Sequence, residues 1–355
     1  MSNFFRYTLE EFSALIYQKY GKKDFYSHGV YRQIYRENNT RLENMQEFEK
    51  APDFREVLLK DLQFKVLPIK KTIHDDSLTK FISVLEDGLE IESVIIPMSH
   101  YFTLCISSQV GCKMGCTFCE TAQMGLLRSL EVDEIISQVY NAIHVLGIDI
   151  RNIVFMGMGE PFDNYDNVIQ AINILTEPKG FSFAKSQITI STVGRVDGIR
   201  KLANLNWPRL NLAISINAPN DELRSQLMPV NRTVPLAELK QALMEYPTRK
   251  SGLFLIEYVL IKGVNDKKVH AEELVSFLKP LRSRINLIPY NPRLSSPYQA
   301  PSEDEVNLFY DTLIELGAFV CRRQTKGRDL MAACGQLGNR ELREKIKLEK
   351  QAKAL

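Results

Sequence analysis

Residues 102–119 read FTLCISSQVGCKMGCTFC. The first seven form an apolar run of strand-like composition. The rest carry three cysteines spaced C-x3-C-x2-C, at Cys112, Cys116 and Cys119, and a fourth, Cys105, sits seven residues before them. The chain holds six cysteines in all, so four of them are packed around the end of one short strand.

Outward from this stretch the pattern repeats without the cysteines. Apolar strand runs recur at 151–157, 186–194, 209–217, 254–261 and 284–290, with 102–108 as the first of the set. Helical spacing fills the intervals. In EVDEIISQVYNAIHVLG the residues Val132, Ile135, Ile136, Val139, Ile143 and Leu146 share a helix face, and AELKQALMEY, HAEELVSFLKPL and EDEVNLFYDTLIELG behave similarly. Near-continuous apolar strands joined by helices predict an α/β fold with a parallel sheet and helical crossovers. Six units are too few for a closed eightfold barrel, so a partial (βα)6 barrel is expected over 101–338, with a doubly wound open sheet as the alternative. Residues 1–63 read as a small helical accessory domain and 64–100 as a β extension, with a hairpin turn at Asp87-Gly88. Residues 339–355 read as a charged C-terminal tail.

The 355 residues are 45% hydrophobic and 25% charged, which suits a globular protein of one large domain plus small additions. No apolar run approaches the ~20 residues of a membrane span. The start, MSNFFRYTLEEF, lacks the basic and apolar regions of a secretory signal. A cytoplasmic address follows, where thiols are kept reduced. A net charge of +2 neither favours nor excludes a nucleic-acid partner, so a basic surface would have to be local.

A structural zinc site wants four ligands, usually as two close pairs. Here no second pair lies near, and His100 is beyond the expected strand. Three thiolates in one loop suit an iron–sulfur cluster better. A four-iron cluster on three protein ligands keeps one iron open for a small molecule. C-x3-C-x2-C directly after the first strand of a partial barrel resembles the radical S-adenosylmethionine (SAM) superfamily, in which that iron chelates SAM. The stretches SSQVGCKMGCTFCETAQMG, VFMGMGEP, ISTVG, LAISINAPNDELRSQLMPVN, EYVLIKGVND, NLIPYNP and AACGQLG resemble the RlmN/Cfr family of RNA adenine methyltransferases. The wording of GEP and CETAQMG is nearer the carbon-2 (RlmN) branch than the carbon-8 (Cfr) branch.

The resemblance implies a set of roles. Cys112, Cys116 and Cys119 would hold a 4Fe–4S cluster. Gly159 and Glu160 would bind the SAM amino group, and Ser191, Ser215, Ile216, Asn217 and Asn291 would complete the SAM pocket. Glu92, Cys105 and Cys334 would be catalytic. Two SAM molecules would be used per turnover. One methylates the Cys334 sulfur, and the other, cleaved with an electron from a donor such as flavodoxin, yields a radical that activates that methyl for addition to the adenine. Glu92 would take the ring proton. Attack by Cys105 on the Cys334 sulfur would free the product and leave a Cys105–Cys334 disulfide for cellular thiols to reduce. The substrate would be 23S rRNA, tRNA or both, and the protein a monomer. Two positions depart from the family's wording: Asn217 stands where histidine is usual, and Leu330-Met331 where Ile-Asp is commoner.

Taken without the resemblance, these residues read more blandly. Glu160 fits a strand-end cap or a solvated carboxylate, and Ser191 is one hydroxyl at a strand end. Glu92 shares a strand face with Val94 and Ile96, which suggests burial and a raised pKa, although a rim glutamate fits as well. Cys334 fits a buried structural thiol, and Cys321 a core strand thiol. Tyr31, Arg32, Tyr35 and Arg36 fit either RNA stacking or ordinary packing. Carbon-8 methylation and a non-enzymatic, metal-stabilised RNA-binding module are the competing functions. The module would have no use for the GEP, SIN and NP segments at successive strand ends.

Overall fold

The structure, a computed structural model, describes residues 1–75, 78–292, 296–323 and 331–338. The expected tail at 339–355, and Leu330, lie outside the described residues.

Ten strands lie side by side in one sheet, and their spatial order is their chain order. They are β1 (Ile69–His74), β2 (Thr79–Val84), β3 (Glu90–Pro97), β4 (Phe102–Cys105), β5 (Ile150–Phe155), β6 (Ile188–Thr192), β7 (Asn211–Ser215), β8 (Phe254–Leu260), β9 (Ser283–Pro289) and β10 (Val320–Arg322). From β1 to β4 the pairing is antiparallel; from β4 to β10 it is parallel. The hairpin between β2 and β3 turns at Asp87-Gly88, with Gly88 at φ +79. Parallel neighbours need crossovers, and helices supply them. α4 (Glu120–Met124) and α5 (Val132–Tyr140) precede β5, then α6 (Tyr165–Thr176) and α7 (Val196–Asn204) precede β6 and β7 respectively. α8 (Asp221–Leu227) and α9 (Leu236–Glu245) lead to β8, α10 (Lys268–Leu278) to β9 and α11 (Glu303–Glu315) to β10. The sheet has two edges, β1 and β10, so this is the partial barrel that the sequence predicts, extended on one side by an antiparallel meander.

Two differences from the sequence reading have physical causes. The ladders stop at Phe155, Thr192 and Ser215, short of the apolar runs, because the next residues leave the sheet to form the loops at its carboxyl edge. β10 is a seventh parallel strand of only three residues, and as the edge strand it leaves Cys321 exposed rather than in the core.

The amino-terminal helices are α1 (Leu9–Tyr20), α2 (Asp24–Tyr35) and α3 (Pro52–Asp61). Thr8 and Glu11 cap α1 reciprocally, and Gly21 ends it in the left-handed region. Tyr31 and Tyr35 are buried, 4.7 Å apart by ring centroid, in an aromatic knot with Phe4 and Phe5. Arg32 pairs with Glu47, while Arg36 donates to the carbonyls of Gly180 and Pro178 beyond α6. That stretch therefore joins the accessory helices to the barrel. Its tyrosine faces are not free to stack on RNA.

Register decides which residues share the barrel's interior. Cys105, Val154, Thr189 and Asn211 are cross-strand partners in one row. Ser191, Ala213, Leu255 and Arg284 form the next. Ser215, Glu257, Asn286 and Cys321 form a third. Val94 pairs with Cys105, so the two-residue period puts Glu92 on this face as well.

Candidate active site

The loop after β4 is fixed by backbone before any cofactor is considered. Gly111 takes φ +77, and a Cβ there would lie 1.8 Å from the Gly125 carbonyl oxygen, so only glycine fits. Cys112 N–H donates to that same oxygen at 3.2 Å, and Thr117 N–H to Leu227 O at 2.9 Å. Cys112 and Cys116 are buried with Met114, Phe118, Met228 and Tyr290, and Cys119 packs against them. Burial pushes the Cys112 thiol up to about 12 and raises Cys116 and Cys119 as well. Cys119 raises Cys112 further, and Cys119 and Cys112 raise Cys116, so the three thiols lie near one another. Thiolates in such a place need a cationic centre, and soft iron is a fitting one. These three residues could hold the 4Fe–4S cluster. Among the described residues no three His, Cys, Asp or Glu side chains, these cysteines included, close on a point that a single ion could occupy, and His100 is exposed.

At the carboxyl end of β5, Gly159 has φ +106, and a Cβ would meet Gln109 Cβ at 2.6 Å. Gln109 Oε1 in turn accepts from Glu160 N–H at 2.9 Å, which anchors the turn. The Glu160 carboxylate is buried, accepting from Phe162 N–H at 3.1 Å and Val193 N–H at 2.8 Å. Burial pushes its pKa up to about 7 against the pull of those donors. It is thus a fixed acceptor at the carboxyl edge of the sheet, where a bound ammonium or amine would be welcome. Ser191 and Ser215 face the interior from neighbouring strands, as their register requires. Ile216 turns its side chain into the core. Asn217 sits at φ +56, a region asparagine tolerates better than histidine does, and its Oδ1 accepts from Val259 N–H at 2.9 Å. Asn291 is buried with its Oδ1 unpartnered, an acceptor left over for a ligand.

The segment AACGQLG closes over the mouth from the other side. Gly335 O accepts from Glu120 N–H at 2.7 Å, and Leu337 O from the Thr121 hydroxyl at 2.6 Å. Gln336 Nε2 donates to Pro292 O at 2.9 Å, and Gly338 N–H to Glu92 Oε2 at 3.3 Å. Lys80, on β2 opposite Val94, completes the clasp. Its ammonium lies 3.1 Å from Glu92 Oε2 and donates to Met331 O at 3.1 Å. Burial raises the Glu92 pKa although Lys80 opposes it.

Cys105 and Cys334 line one cavity of about 480 Å³, together with Asn291. Both are free thiols, so they do not form a structural disulfide. Cys334 is exposed and Cys105 buried. Burial pushes Cys105 up to about 12, with Cys334 adding to it and Arg323 opposing. Cys334 is also raised by burial, again with Arg323 opposing. Of the residues expected around SAM, only Asn291 reaches this cavity. Glu160, Ser191, Ser215 and Asn217 lie on the adjoining part of the carboxyl edge.

Sequence reasoning missed Lys80, Arg323 and Arg224. Lys80 needs the β2–β3 register to be seen. Arg224, from the polar helix α8, is almost fully buried and donates to the carbonyls of Val193, Ser215 and Ile216 and to Asn231 Oδ1. Burial lowers its pKa to about 10, and the nearby Cys116 opposes that.

The radical SAM superfamily profile matches residues 106–275. The chain is 47% identical to the probable dual-specificity RNA methyltransferase RlmN 1 of Protochlamydia amoebophila, over 96% of its own length and 94% of that protein's. It is 38% identical to the dual-specificity RNA methyltransferase RlmN of Bdellovibrio bacteriovorus, over 94% of this chain and 83% of the other. A solved structure of a radical SAM methyltransferase from Sphaerobacter thermophilus is similar, with 35% identity, a TM-score of 0.87 and coverage of 95% of this chain and 99% of that one.

Proposed function

The chain belongs to the RlmN family of dual-specificity RNA methyltransferases, within the radical SAM superfamily, and from that membership we propose that it methylates carbon 2 of an adenine in 23S rRNA, in tRNA or in both, through an S-methylcysteine at Cys334. The cofactors come with the family: a 4Fe–4S cluster and SAM, two molecules per turnover. The single observation that supports the residue assignment is that Cys105 and Cys334 line one cavity while the Cys334 loop is hydrogen-bonded both to Glu92 and to Glu120, the residue after Cys119.

Carbon 2 lies between two ring nitrogens and is electron-poor, so attack by the base on a sulfonium methyl is closed to it. When bound, the cluster supplies the electron that cleaves SAM and so provides the hydrogen-abstracting species. The chain's own residues do the rest. Cys112, Cys116 and Cys119 hold the cluster; Gly159, Glu160, Ser191, Ser215, Asn217 and Asn291 cradle SAM, with Ile216 giving only backbone. Cys334 takes and carries the methyl, lining the cavity with its loop clasped to Glu120, Thr121 and Glu92. Glu92, its pKa raised by burial, receives the ring proton. Cys105 then attacks the Cys334 sulfur, so that the carbon–sulfur bond breaks and a disulfide forms for thiols to reduce; the freed carbon takes up a proton to complete the methyl, and the unpaired electron left by radical addition would return to the cluster. The adenine must leave its stack to reach the mouth, at a cost of a few kcal/mol, so loop adenines already splayed are the accessible targets.

No helix of the described residues is long and apolar enough to cross a membrane. A cytoplasmic monomer served by a flavodoxin-like electron donor completes the proposal.

The test is the Cys105→Ala variant. Without a resolving thiol the thioether between Cys334 and the base persists, so denaturant-resistant protein–RNA adduct should accumulate, dependent on SAM, reductant and cluster. Nuclease digestion should leave a nucleotide mass on the Cys334 peptide, joined at carbon 2. Normal turnover of this variant would refute the relay, and attachment at carbon 8 would move the protein to the other branch.

A further inference from the structure

The cavity that reaches Cys105 and Cys334 does not stop at the carboxyl edge. Its other end is formed by Pro208, Tyr246 and the Thr248–Leu253 loop, which precede β7 and β8 and therefore lie at the amino ends of the strands. Three arginines line it: Arg249 at that far mouth, Arg284 on the inner face of β9, and Arg323 just past β10 near both thiols. No aspartate or glutamate lines it among the described residues. None of the three guanidinium groups has a hydrogen-bonding or ion-pair partner among those residues, and the Nε of Arg284 is fully buried without one. Glu257, the nearest acid, faces the interior, accepts from Asn286 Nδ2 at 2.6 Å and lies close enough to Arg284 and Arg323 to feel their charge, but it does not line the cavity and leaves the wall itself cationic. A passage with charges of one sign and donors left over calls for an anion.

We propose that the amino end of the barrel is an entry port for a small anionic thiol, a monothiol bearing carboxylate or similar charge, which reduces the Cys105–Cys334 disulfide from behind while the carboxyl edge remains occupied by RNA and SAM. This rests on the reading in which those two cysteines end each turnover as a disulfide. The ligand's thiolate attacks the Cys334 sulfur, whose residue is the more accessible of the two and lines the cavity, and the S–S bond breaks with Cys105 leaving as thiolate beside Arg323, there to take up a proton. A second thiol attacks the ligand sulfur of the mixed disulfide and releases Cys334. Two thiols are oxidised to one disulfide, and two electrons and two protons restore the pair.

The experiment uses full-length, cluster-loaded protein oxidised anaerobically with diamide to the Cys105–Cys334 disulfide, verified by peptide mass. Return of the two alkylatable thiols is then timed with mercaptoethanesulfonate (anionic), 2-mercaptoethanol (neutral) and cysteamine (cationic) at equal thiolate concentration. The expected order is anionic, neutral, cationic, with a spread of at least about tenfold, as for other single-signed clefts. Arg249→Glu should collapse or invert that order, Ser251→Trp should slow all three, and saturating RNA and SAM should slow none. Equal rates for the three thiols, an order untouched by Arg249→Glu, or reduction blocked by RNA and SAM would overturn the port. Because the disulfide is made chemically, its absence after an enzymatic turnover would count against the catalytic relay alone.

Discussion

Lys80→Met tests whether Glu92 is a carboxylate held ionised by one buried partner. The ammonium and Oε2 are 3.1 Å apart, with side chains 6% and 8% exposed. At an effective dielectric of about 20, that separation is worth about 5 kcal/mol of gross attraction, most of it offset by desolvation of both ions. Removing one member of such a pair costs about 3–5 kcal/mol if the other stays charged. Glu92 has an escape, because burial already raises its pKa and Lys80 is the chief opposing influence. Without Lys80 it takes a proton. In the window between the ordinary carboxylate value and its own raised one, the folded variant then holds a proton that the unfolded chain does not. Stability should fall as pH rises through that window, by up to about 1.4 kcal/mol per pH unit. Lys80→Met/Glu92→Gln loses the same contact to Met331 but has nothing to titrate, so its slope should be flat by comparison. Urea midpoints of both variants across pH give the difference directly. Parallel curves would refute the coupling. In activity, Lys80→Met should release product slowly at pH values below the raised Glu92 pKa and recover as pH rises through it, whereas the double variant should not recover.

Two further outcomes are expected. Anaerobically reconstituted protein should bind about four irons, lose them with Cys112→Ala, Cys116→Ala or Cys119→Ala, and keep them with Cys105→Ala or Cys334→Ala; iron counts and the visible chromophore decide it. Arg224→Met leaves two buried and two part-buried acceptors without their donor, and at about 1–3 kcal/mol for each buried one the iron-free protein should lose at least about 2 kcal/mol by urea unfolding, with Arg224→Lys recovering only part.

What the sequence made legible was periodic or local. The cysteine spacing sits within one loop, and strand alternation shows in apolar content, so both could be read without partners. Glu92 was reachable for the same reason: a two-residue period puts it on the face of Val94 and Ile96, and the structure keeps it there, buried. Features that depend on pairing between distant segments stayed hidden. Lys80 looks like any strand lysine until the β2–β3 register sets it beside Glu92, and Arg224 lies in a charged helix that gives no hint of burial. Cys321 misled in the opposite direction, since apolar neighbours suggested a core and only topology shows β10 to be an edge. The Tyr31–Arg36 stretch carried an ambiguous pattern that Phe4, Phe5 and the Gly180 carbonyl resolve as packing.

The arrangement of the Cys334 loop has one more consequence. Its carbonyls at Gly335 and Leu337 are held by Glu120 N–H and the Thr121 hydroxyl, the residues that immediately follow Cys119. A polypeptide loop that binds a cluster is ordered by it, because three side chains must present sulfur to one body. Ordering Cys119 therefore orders its neighbours Glu120 and Thr121, and these fix the loop of Cys334, the proposed methyl carrier, more than two hundred residues away. Glu92 adds the third point of attachment through Gly338, and Lys80 a fourth through Met331. The three-cysteine loop, Glu92 and the Cys334 loop are thus one hydrogen-bonded unit rather than three sites that happen to adjoin. A chain without its cluster should hold Cys334 less firmly, which keeps methyl loading coupled to a centre able to use it.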